Sequence, residues 1–75
     1  MKINMRQMKE NQSGTISAVH VGGELGRRIR DMGLVPGTKV KIQGRAPLND
    51  PVALKVRGST LALRNSEADF IDVEV

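Results

Sequence analysis

No cysteine, tryptophan or tyrosine occurs in the 75 residues, and there is one phenylalanine and one histidine. Without thiols, neither a disulfide framework nor a thiolate metal site can brace so short a chain, and nothing points to an oxidising compartment. The lone imidazole, His20, excludes a histidine-based catalytic triad or a multi-histidine metal cluster within one chain. The scarcity of rings argues against the stacking platforms on which small barrels hold single-stranded nucleic acid. The one candidate ring, Phe70, stands among acids. No run approaches the roughly 18 apolar residues of a membrane span. The start, Met1-Lys2-Ile3-Asn4, lacks the apolar core of a signal peptide, so a cytoplasmic chain is expected.

What is present is an ordinary globular mixture, 39% hydrophobic and 27% charged, with no repeat or low-complexity run, and it reads as a single domain over 1–75. Ordering costs roughly 1.5 kcal/mol per residue, so a core this small leaves little margin. The net charge of +4 hides an asymmetry, since residues 1–64 carry all twelve Lys and Arg against four acids, while residues 65–75 carry four acids and no base. Such a basic body steers encounter with nucleic acid, acidic protein surfaces or anionic lipid without choosing among them.

Glycine and proline punctuate the chain into short segments, as in small all-β folds. Val40 and Ile42 alternate with Lys39, Lys41 and Gln43, and Val52, Leu54 and Val56 alternate with Ala53, Lys55 and Arg57, giving two half-buried strands. Gly58-Ser59 reads as a two-residue loop with glycine first, suited to a type II′ turn; it sets Val56 opposite Leu61 and Leu54 opposite Leu63. Ile71, Val73 and Val75 form a last strand, and 14–21 a less regular first one, for five in all. Between the first two, Leu25, Ile29 and Met32 line one stripe of a helix over 24–32. Gly33, Leu34 and Pro36 specify its stop. Asn4–Met8, with a capping-box spacing, and Asn65–Ala68, with Asn65 as its cap, read as single turns. Five short strands with edges to protect predict a small, partly open barrel, SH3-like or OB-like.

Chemistry-bearing residues are few. His20 lies between Val19 and Val21 as a strand residue, and the methionines sit at core spacings rather than as soft-metal ligands. Glu67, Asp69, Asp72 and Glu74 form an acidic strip without calcium-loop spacing, expected to be a solvated outer face that discourages edge pairing. No catalytic, cofactor or metal site is proposed. An iron site built between subunits would have only His20 and this strip to draw on. Gly22-Gly23-Glu24-Leu25-Gly26 lacks the remaining parts of a phosphate-binding motif. The surface feature that stands out is basic: Arg27 and Arg30 point away from the helix stripe, Arg28 flanks it, and Lys39, Lys41, Lys55 and Arg57 face outward from strands. It is either solubilising charge or an electrostatic docking face.

The series Arg28-Ile29-Arg30-Asp31-Met32-Gly33-Leu34-Val35-Pro36-Gly37, then Arg45-Ala46-Pro47-Leu48-Asn49-Asp50-Pro51, then Arg57-Gly58 and Leu61-Ala62-Leu63-Arg64-Asn65-Ser66-Glu67-Ala68 resembles the FeoA family over about residues 5–75. The resemblance implies an all-β fold, a small SH3-like five-stranded partly open barrel with one short helix. It also implies a non-enzymatic accessory role in bacterial ferrous iron uptake, exerted on FeoB, a membrane transporter with a cytosolic G-protein domain. Contact with the membrane would then be indirect, no nucleic acid is expected, and open sheet edges allow weak self-association. Arg27, Arg28, Arg30, Met32, Leu34, Lys39 and Lys41 are the expected docking residues, with a groove between the helix and residues 46–50 as the fallback. The alternative is a nucleic-acid-binding barrel using Lys39, Lys41, Lys55 and Arg57. A third possibility is a stimulator of GTP hydrolysis that inserts Arg27, Arg28 or Arg30.

Overall fold

The computed structural model describes residues 1–45 and 50–75. Strands β1 (Lys2–Asn4), β2 (Ser13–Val19), β3 (Lys39–Arg45), β4 (Val52–Val56), β5 (Ser59–Leu63) and β6 (Ile71–Glu74) form one antiparallel sheet in the order β1-β6-β2-β3-β4-β5. Helix α1 (Gly23–Asp31) joins β2 to β3 and the short α2 (Asn65–Ala68) joins β5 to β6. The expected all-β, partly open barrel with one substantial helix is what forms, because the sheet curls while β5 and β1 stay unpaired. Two bulges assist the curl, at Ser17 where β2 faces β6 and at Gln43 where β3 faces β4, each adding a residue that has no opposite number.

Six strands rather than five are present among the described residues. The additional one, β1, is three residues long and shows no alternation of its own; it exists because Lys2, Ile3 and Asn4 meet Glu74, Val73 and Asp72 across the chain ends. The turn after it forms as the spacing predicts. Asn4 caps Met5–Gln7 by accepting from the Arg6 N–H at 3.0 Å, and the Gln7 side chain accepts the Asn4 N–H at 3.1 Å.

The hairpin register differs from expectation. Val56 faces Ser59 and Leu54 faces Leu61, so the turn residues are Arg57 and Gly58, at φ 52° and 83°, a type I′ pattern. The slip is two residues, so every side chain keeps its face and Leu54, Val56 and Leu63 are buried as alternation predicts.

Helix α1 ends as its sequence specifies. Gly33 takes φ 89° and donates to the Arg30 carbonyl at 2.9 Å, while the Leu34 N–H reaches the Ile29 carbonyl at 3.2 Å. Both apolar partners of this stop, Ile29 and Leu34, are fully buried. Gly26 lies where the first turn of α1 meets the strand end, and a Cβ there would stand 2.3 Å from the Val21 carbonyl oxygen. Glycine at this position lets helix and backbone touch. The barrel interior is completed by Met5, Met8, Ile16, Val40, Ile42 and Val52, with Ile71 and Val73 from β6.

Candidate docking surface

The chemistry-bearing residues divide into those that tie the molecule together and those left on its outside. The acidic strip belongs to the first group. Glu67 is 6% exposed, accepts the Arg64 N–H at 3.1 Å through Oε1 and meets the Arg28 guanidinium at 3.4 Å through Oε2. Asp69 pairs with Arg6 at 3.0 Å, and Asp72 meets His20 Nε2 at 2.7 Å. The solvated-face expectation is corrected at Glu67, which is buried, while Asp69 and Glu74 are exposed and Asp72 half-buried as they tie the C-terminal segment to Arg6, the N-terminal amine and His20. Nor does β6 need protection from edge pairing, because it lies between β1 and β2. The cap of α2 also shifts by one, to Arg64, and the Asn65 N–H is taken by the Asp50 carboxylate at 3.0 Å.

The second group is basic. Arg27, Arg28 and Arg30 are exposed along α1, whose opposite face carries buried Ile29 and half-buried Leu25 and Met32. Arg28 is engaged with Glu67, while Arg27 and Arg30 have no ion-pair partner among the described residues. Arg28 and Met32 border a cleft completed by Asp50, Pro51, Ala62, Arg64 and Glu67. Lys39 and Lys41 project elsewhere, into a shallow depression on the outer face of the sheet with Lys55, Thr15, Glu74 and Val75. Lys41 and Lys55 are direct cross-strand neighbours. Six of the seven expected docking residues thus occupy two surfaces rather than one. Leu34 is 0% exposed and drops out, because its side chain closes the helix stop from inside. The fallback groove falls largely on residues 46–49, outside the described residues.

Sequence reasoning missed the Arg28–Glu67 link and the cleft beside it. Both arise when α2 is carried against α1, a separation of 39 residues that leaves no local pattern. Among the described residues no group of three or more His, Asp or Glu is placed to hold a metal ion. No helix among them is long and apolar enough to cross a membrane.

A curled six-stranded antiparallel sheet, open between its first and last strands and stoppered by one amphipathic helix, is a small SH3-like domain. The family model described as the FeoA domain matches residues 3–75, and the chain belongs to the FeoA family. The solution structure of a FeoA-like protein from Clostridium acetobutylicum is 39% identical with a TM-score of 0.91, covering 99% of this chain and 86% of that one. The crystal structure of Stenotrophomonas maltophilia FeoA complexed with zinc, described as a procaryotic SH3 domain protein, is 26% identical with a TM-score of 0.82, covering 96% of this chain and 89% of that one. A curated relative, the Fe(2+) transport protein A/Fe(2+) transporter FeoB fusion protein of Porphyromonas gingivalis, is 29% identical over 97% of this chain. The chain spans 9% of that relative's length.

Proposed function

We propose that this protein is a non-enzymatic accessory module of ferrous iron uptake, working in the cytoplasm by docking on the cytosolic region of a FeoB-type membrane G-protein transporter. The observation that carries the reading is the fusion relative, in which a domain similar to this chain and a transporter share one polypeptide. Joining two domains replaces a bimolecular encounter with an intramolecular one, an arrangement useful when the two act together. Arg27 and Arg30, without an ion-pair partner among the described residues, supply on an exposed helix face a surface that an acidic partner would recognise, and charge of this kind mainly sets encounter rate and orientation. Ferrous iron is the transporter's cargo in this reading, not a ligand of the accessory chain.

The test is a chemical-shift titration of the labelled protein with the soluble G-protein region of its cognate FeoB, in GDP and non-hydrolysable GTP forms. Shifts should cluster on residues 27–33, and reversing Arg27 and Arg30 to Glu should weaken binding at least tenfold at low salt, where screening is least. Undiminished binding by the double variant removes the helix face as the site.

A second reading draws on Lys39, Lys41 and Lys55 lining one depression, which is the kind of patch that follows a phosphate backbone. Binding of single-stranded RNA there should fall steeply with salt, by one step for each phosphate neutralised. Absence of binding at low salt disposes of it.

A further inference from the structure

Strand β5 is an edge of the sheet, and among the described residues it lacks the usual devices that keep an edge from pairing. Its five residues, Ser59-Thr60-Leu61-Ala62-Leu63, contain no charge and no proline, and its register against β4 is unbroken from Val52–Leu63 to Val56–Ser59. The other edge, β1, is only three residues long and bears Lys2. One edge is therefore blunted, and the other has no strand on its outer side among the described residues.

The hydrogen-bonding pattern locates what β5 offers. In a two-residue hairpin the pair flanking the turn exchanges both backbone bonds, and bonded pairs then alternate along the ladder. Ser59, Leu61 and Leu63 are the residues bonded to β4, so Thr60 and Ala62 turn their N–H and C=O groups away from the sheet. Both residues are exposed, and neither backbone has a hydrogen-bond partner among the described residues. Two donors and two acceptors at alternate positions are what an extended peptide needs to add a strand.

Charge selects the occupant. Lys55 and Arg57 make the turn end of the strand positive, while at the other end Arg64 shares its cleft with Asp50 and Glu67, so the positive charge leads at the turn. Antiparallel pairing with a second copy about Leu61 would bring Arg57 of each molecule beside Arg64 of the other at both ends, which opposes self-association. We propose that β5 is an acceptor edge for an extended segment of another protein with a neutral, β-branched centre and acidic residues at its ends. At its Ala62 end this edge adjoins the cleft bordered by Arg28 and Met32, whereas Arg27 and Arg30 lie outside that cleft, so the proposal does not rest on the α1 docking reading.

The probe is a blocked nine-residue peptide, Glu-Asp-Val-Thr-Val-Thr-Val-Asp-Glu, titrated into the labelled full chain and followed by amide shifts and hydrogen exchange. The Thr60 and Ala62 amides should shift and exchange at least tenfold more slowly. The same peptide methylated at alternate backbone nitrogens, or with Lys replacing its acids, should bind at least tenfold more weakly. Ala62→Pro removes one outward donor at an edge position where proline is tolerated, and should weaken binding tenfold while the spectrum stays dispersed. Because the methylated peptide makes the same test on the unaltered protein, misfolding of Ala62→Pro would not shelter the idea. Three results overturn it: no binding at millimolar peptide, equal binding of the methylated peptide, or protein-concentration-dependent shifts of Thr60 and Ala62 without peptide, which would make a second copy the occupant.

Discussion

At the residue scale two opposing effects meet at Gly26. Alanine is better than glycine in a helix interior by about 1 kcal/mol, so propensity alone favours Gly26→Ala. The added methyl, however, would stand 2.3 Å from the Val21 carbonyl oxygen, and the neighbour is backbone that cannot swing aside. Forcing the two apart costs typically 1–3 kcal/mol or somewhat more at so tight a site, so contact outweighs propensity. Gly26→Ala should lower stability in urea melts by roughly 1–2 kcal/mol; an increase would show that the helix end can shift outward freely. Glu67 presents the converse case, a carboxylate kept because it is occupied. Its Oε1 satisfies the Arg64 N–H at 3.1 Å while the residue is 6% exposed. Glu67→Ala removes an acceptor from a helix start and should cost about 1–2 kcal/mol by the same melts. The exposed Arg28 guanidinium adds little to that figure. A neutral outcome would mean water replaces the carboxylate without loss.

At the element scale the β4–β5 hairpin shows how a local signal can be right about faces and wrong about a turn. Both Gly58-Ser59 and Arg57-Gly58 provide a two-residue loop containing glycine, and both registers bury the same apolar side. The difference lies in strand length. Turning at Arg57-Gly58 pairs five residues from Val52–Leu63 to Val56–Ser59 and brings Leu54 against Leu61, at the expense of holding an arginine at φ 52°. A non-glycine residue in the left-handed region costs roughly 1–2 kcal/mol, less for asparagine. Arg57→Asn should therefore raise stability by about 0.5–1 kcal/mol without altering the register, read as a higher urea midpoint with the same cross-strand contacts. A lower midpoint would mean that the Arg57 side chain makes up for its backbone. The stop of α1 was legible because Gly33, Leu34 and Pro36 encode it within four residues. Strand β1 was not, because three residues carry no period and its partner lies some seventy positions away. The candidate surface divides the same way. Arg27 and Arg30 are readable as outward from helical spacing, whereas the burial of Leu34 depends on how the helix stop seats in the barrel.

At the scale of the whole molecule the last strand of the chain is an interior strand of the sheet. β6 lies between β1 and β2, and Ile71 and Val73 are both fully buried. The acids around it reach Arg6, His20 and Arg28, so the C-terminal segment gathers both the chain's beginning and α1. A chain of this length has an expected stability of about 4–11 kcal/mol. Losing a buried isoleucine side chain to alanine costs roughly 2–5 kcal/mol, and a buried valine somewhat less. Ile71→Ala with Val73→Ala in one chain then removes a sum comparable to the whole margin, and the two sites share neighbours, so their effects need not add. Ile3→Ala, by contrast, trims a half-buried residue on the edge strand and should cost about 1 kcal/mol. Amide spectra at 25 °C separate the cases: the double variant should lose dispersion throughout, including β3 and β4, while Ile3→Ala should keep it everywhere beyond β1. If β3, β4 and β5 kept native shifts in the double variant, the barrel would be two cooperative units rather than one, and the docking surfaces on α1 and β5 would belong to parts able to order independently.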